Sequence, residues 1–165
     1  MKSIFCSTFP KSGLRHPQHI SKLAFYTIPL ILLASLVAYN SKLNIIAILL
    51  FCLFITSIFH WYKHQNNSIV RFVDIFLAIV LLITTFYYVK ENKFVIWLIT
   101  VIMISIIFII NKICYHYQFE NSSSYFYTLP NSKKRENAHY WSVYIHLFFN
   151  HICLLGMGFY CIYPL

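Results

Sequence analysis

The stretch Thr56–Phe76, TSIFHWYKHQNNSIVRFVDIF, decides how the chain is read. An apolar run ends in it, with His60 and His64 one helical turn apart. A short polar turn follows. A second apolar run then opens with Arg71 and carries a lone carboxylate, Asp74. A membrane segment normally excludes groups that must be solvated or paired, so histidine and aspartate here mark a polar site at one face of a membrane bundle.

The composition agrees with a membrane reading. Of 165 residues, 59% are hydrophobic and 10% charged, and the mean hydropathy is +0.66. A soluble domain carries about 45–50% apolar and about 25% charged residues. The fold class expected is all-α, an integral membrane bundle of five transmembrane helices.

The second span covers residues 43–62 and ends in Trp61 and Tyr62, placed at interface level. The third covers 70–89. Before them, the first covers 23–39 and contains Pro29, which should kink it. After them, the fourth covers 94–114 and the fifth 138–162. Each is near the roughly 20 residues that a bilayer core requires. Residues 1–22 read as a basic cytoplasmic tail in which Pro10, Gly13 and Pro17 oppose a regular helix. Residues 115–137, with three serines, Pro130 and the run Lys133, Lys134, Arg135, read as a polar loop.

The net charge is +9. Its distribution fits topology and not a nucleic-acid surface, which would want a clustered basic face. With five spans, one side holds Lys2, Lys11, Arg15, Lys22, Lys63, Arg71, Lys112, Lys133, Lys134 and Arg135. The other holds only Lys42, Lys90 and Lys93. The N-terminus is therefore expected in the cytoplasm and the C-terminus outside or in a lumen, with the sequons at Asn66 and Asn121 facing the cytoplasm without glycan. Five cysteines, with no C-x-x-C pair, do not make a disulfide frame. Membrane lipid is the expected partner, nucleic acid is not, and a homo-oligomer is left open.

None of the eight histidines lies near the external face. With the fifth span entering near Trp141, His146 lies roughly 7 Å deep and His151 roughly 15 Å deep, at about 1.5 Å per residue. A solvated face cannot account for His151. It is either a hydrogen-bonded contact between helices or a metal ligand. Three converging imidazoles make the usual catalytic Zn²⁺ shell, leaving a fourth position for a water that ionises near neutral pH. A carboxylate can take its proton, and a hydroxyl can hold it in place. The chain offers His60, His146, His151, Asp74, and Ser57 or Thr56.

At these residues the chain resembles the CREST superfamily of membrane proteins: alkaline ceramidases, progestin and adipoQ receptors, and the hemolysin III group. That pattern has a serine four residues before a histidine at the end of one helix, an aspartate at the start of the next, and H-x-x-x-H in the last. TSIFH (Thr56–His60) and RFVD (Arg71–Asp74) look like the first two parts, and HYWSVYIHLFFNHICLLGMGFY (His139–Tyr160) looks like the last helix. The resemblance implies zinc bound by His60, His146 and His151, with Asp74 and Ser57 serving catalysis. It also implies a hydrolase acting on a lipid amide or ester.

This chain departs from the pattern in three ways. The family has seven helices and five are expected here. Thr56 takes the place of the serine, with Ser57 one residue late. The last pair is H-x-x-x-x-H, and on a regular helix its members point about 140° apart, at about 100° per residue. Asn150 then shares the face of His146, as does His139. A π-bulge would restore convergence; alternatively His64 replaces His151 as third ligand. A non-enzymatic relative with structural zinc and an unspecialised small bundle are the other readings these departures admit.

Overall fold

The computed structural model describes residues 18–62, 69–120 and 129–163. The elements are helical throughout those residues. They are α1 (Gln18–Ser21), a 3-10 segment (Lys22–Tyr26), α2 (Ile28–Asn40), α3 (Asn44–Tyr62) and α4 (Ile69–Tyr88). A 3-10 turn (Glu91–Lys93), α5 (Phe94–Glu120), α6 (Leu129–His146), a π-helix (Leu147–Leu154) and α7 (Leu155–Ile162) follow. Among the described residues five stretches are long and apolar enough to cross a membrane: His19–Asn40, Asn44–Tyr62, Ile69–Tyr88, Glu91–Asn111 and His139–Ile162. The molecule is an all-α, multi-pass membrane bundle.

The first span is helical from before the expected Leu23, with Ile20 and Ser21 buried. Pro29 stands in the first turn of α2 and does not kink a continuous helix. Its missing N–H costs least there, and the change from 3-10 to α winding falls just before it. At the other end of α2, Lys42 adopts φ 63°. Leu43 N–H bonds Ala38 O at 2.9 Å and Lys42 N–H bonds Tyr39 O at 2.9 Å. This is a Schellman cap closed by a non-glycine residue, and it turns the chain straight into α3.

Small residues let α2 and α3 approach closely: Ala34, Ser35 and Ala38 face Ile46, Ala47 and Leu50 in one buried cluster. Ser35 Oγ donates to Ala47 O at 2.8 Å across the pair. Such bonds between spans average about 0.6 kcal/mol, so packing is the larger contribution. Along α3 the buried stripe runs Ile46, Leu50, Leu53, Ser57, His60, and these steps of three and four make one helix face. His60 is therefore a continuation of the core stripe. On α4 the outward stripe is Phe72, Phe76, Ile79, Ile83 and Tyr87, all exposed. Asp74 lies two residues from Phe72, about 200° round the helix, which turns it toward α3.

A second cluster fills the end of the bundle nearest the histidines. Ile20, Ala24, Ile28, Trp61, Val143 and Leu147 are buried there. Trp61, expected at interface level, is 3% exposed, whereas Tyr62 is 60% exposed. The 3-10 segment and the start of α2 cover the indole. The expected loop 115–137 is helical at both described ends, since α5 runs on to Glu120 and α6 starts at Leu129. Pro130 sits in the first turn of α6, where proline is tolerated. Residues 121–128 lie outside the described residues, as do 1–17.

At the opposite end, Lys93 Nζ donates to Tyr160 O at 2.8 Å and Tyr163 O at 2.9 Å. It lies 4.2 Å from the centre of the Tyr160 ring. This cation satisfies carbonyls that a helix C-terminus leaves open and complements its dipole.

Candidate functional site

Two polar groupings are built into the spans. The first joins α3 to α4. Ser57 Oγ donates to Asp74 Oδ1 at 2.7 Å, and Thr56 Oγ1 donates to the same oxygen at 3.0 Å. Thr56 shares its single proton with Leu53 O at 3.1 Å, so Ser57 is the stronger donor. Both hydroxyls from TSIFH therefore bind the carboxylate. His60 stands one turn beyond Ser57 on the same buried face.

The second grouping depends on the π-helix. Its hydrogen bonds run from residue i to i+5, so residues five apart fall nearly above one another. His146 precedes it and His151 lies within it. Their ring centres are 5.4 Å apart with planes at 72°. The H-x-x-x-x-H spacing, divergent on an α-helix, converges here. Asn150 Nδ2 lies 3.3 Å from His146 Nδ1, so the residue expected on the face of His146 is its partner. His151 is 7% exposed and its Nδ1 lies 2.8 Å from Thr27 Oγ1 on the first span.

Trp61 links the two groupings. Its ring centre is 5.4 Å from that of His60 and 5.3 Å from that of His146. Phe108 on α5 closes another side, 5.6 Å from His146. The site thus takes residues from all five spans, with imidazoles walled by aromatic rings and a carboxylate held by hydroxyls.

Two imidazoles sharing a tetrahedral ion, with Zn–N bonds of about 2.0–2.1 Å, hold their ring centres roughly 5 Å apart. The His146–His151 separation is of that size. Among the described residues no group of three or more His, Cys, Asp or Glu side chains is close enough to hold a metal ion. The geometry offers a pair, with His60 joined to it through Trp61. His139 is fully buried on α6. His64 lies outside the described residues.

Thr27, Trp61 and Phe108 are the site residues that sequence reasoning did not single out. The parity of the spans was available as a signal for Thr27, since it puts the start of the first span beside the end of the second. The fold defines a multi-pass helical membrane protein with a polar site inside it. Comparison of the chain with protein-family models, with curated proteins and with solved structures finds no match.

Proposed function

We propose that the chain is a zinc-dependent intramembrane hydrolase of a lipid amide or ester, related to the CREST superfamily. The single observation that carries the reading is the π-helix that brings His146 and His151 together, at the spacing where an α-helix would part them. Such bulges are frequent at functional sites. His146 and His151 would be two of the ligands, and His60, buried one turn from Ser57 and not close enough here to share an ion with the pair, would have to move toward them to be the third. Zinc, when bound, makes a water acidic near neutral pH and polarises a carbonyl. Asp74 carries the proton, its Oδ1 held by Ser57 and Thr56. The charge distribution supports a cytoplasmic N-terminus, a C-terminus outside or in a lumen, and a site in the inner leaflet.

The aromatic contacts among Trp61, His146 and His151 favour a second reading. In it the imidazoles pin helices together, with or without a structural zinc, and nothing is turned over. The test is metal content and hydrolysis of ceramide and of ester lipids by the purified chain, beside its Asp74→Asn variant. Zinc retained and turnover lost in the variant is the expected result. Zinc and turnover lost together would make Asp74 structural, and wild-type protein with zinc but no hydrolysis would favour the second reading.

A further inference from the structure

Thr27 lies between the 3-10 segment and α2, and its Oγ1 has two partners. One is the carbonyl oxygen of Ala24 at 3.1 Å, and the other is Nδ1 of His151 at 2.8 Å. A hydroxyl has one proton to give, and a carbonyl oxygen only accepts. If Thr27 donates to Ala24, it must accept from His151. The imidazole proton then sits on Nδ1 and the lone pair on Nε2. We propose that Thr27 is a positioning residue that fixes His151 in its Nδ1–H tautomer, so that Nε2 is the nitrogen presented to a ligand. The ligand is zinc, and that part rests on the zinc reading above.

The backbone explains why a residue of the first span can act this way. The 3-10 winding brings the N–H of Thr27 to Ala24 O at 3.0 Å. The same carbonyl has a second lone pair, which the Thr27 hydroxyl takes. Backbone and side chain are thus anchored to one atom, and this fixes the direction from which Oγ1 meets His151. Pro29 follows at the start of α2 and limits how that turn can rewind. Histidines that bind metal commonly hand their other N–H to an acceptor, and loss of that acceptor weakens binding by about 10–100-fold. The opposite tautomer, with Thr27 donating to Nδ1, would put the proton on Nε2 and block ligation there.

The experiment uses the full chain in lipid nanodiscs with ¹⁵N-labelled histidine, stripped of metal. The His151 signals are assigned by their loss in His151→Gln. Wild type and Thr27→Ser should show protonated Nδ1. Thr27→Val, of the same shape without the hydroxyl, should lose that preference and bind Zn²⁺ about 10–100-fold more weakly in a competition titration. A wild-type proton on Nε2, or an unchanged tautomer in Thr27→Val, would overturn the proposal. A shifted tautomer with unchanged Zn²⁺ affinity would overturn its ligand half. If wild type binds no Zn²⁺, the zinc reading falls by itself, and the tautomer still decides the role of Thr27.

Discussion

Deletion of Phe148 removes one residue from inside the π-helix and is expected to leave the histidine pair together. Phe148 is 52% exposed, and its neighbour Leu147 is buried. Without it the segment can wind as a regular α-helix in which His146 and His151 stand four apart, about 40° from one another at about 100° per residue. On a helix about 10–12 Å across, with a rise of about 1.5 Å per residue, the rings then lie roughly 7 Å apart before side-chain adjustment. The present separation is 5.4 Å. The full sequence forced into an α-helix would instead place the rings about 140° apart, more than roughly 10 Å from each other, on opposite sides of the cylinder. The deletion should therefore keep zinc and a normal circular dichroism spectrum. One alanine inserted after Phe148 should fold but lose zinc, because it sets the pair six apart. Metal content after gel filtration is the assay. A deletion variant that folds without zinc, or an insertion variant that keeps it, would refute the claim that the π-helix exists to bring the two imidazoles together.

Other consequences are open to simple variants. A Cβ on Gly158 would meet Trp97 at 3.5 Å and Thr85 at 3.7 Å, which is ordinary contact. Gly158→Ala should thus leave the melting temperature nearly unchanged, while Gly158→Leu overpacks the Trp97 ring and costs about 1–3 kcal/mol. Lys93→Met keeps the stem but gives up both carbonyl contacts. It should lower stability by about 1 kcal/mol, a value discounted for exposure and read as a shifted thermal melt. Ser57→Ala should reduce turnover more than Thr56→Val, because Thr56 divides its proton between Asp74 and Leu53. Equal losses in the two would deny Ser57 its leading place.

The spans were legible because a bilayer demands about 20 apolar residues in succession, a signal that neither turns nor kinks obscure. α3 and α4 begin and end within a residue of their expected limits, 43–62 and 70–89. The helical ends of the 115–137 stretch were not legible. Polar composition there speaks of water, and a helix in water looks like a loop when judged by hydropathy alone. Pro130 misled for the same reason that Pro29 did, since proline opens a helix as readily as it breaks one. At the site, the two motifs singled out Asp74, Ser57 and Thr56, but not the direct contact of both hydroxyls with one carboxylate oxygen. The H-x-x-x-x-H spacing posed the geometric question that the π-helix answers. Parity brings Thr27 to the right end of the bundle, but the inward position of Trp61 and the meeting of the Thr27 hydroxyl with His151 were not readable, because each depends on how the first span packs over the end of α3. That packing is set by three-dimensional contact and leaves no periodic trace.

The most direct test of the whole reading is X-ray absorption at the zinc edge on the purified chain. One zinc per chain, bound through three imidazole nitrogens at about 2.0–2.1 Å, is the predicted spectrum, and His60→Ala should reduce the imidazole shell to two. Protein that carries no zinc, or a spectrum that His60→Ala leaves unchanged, would contradict it.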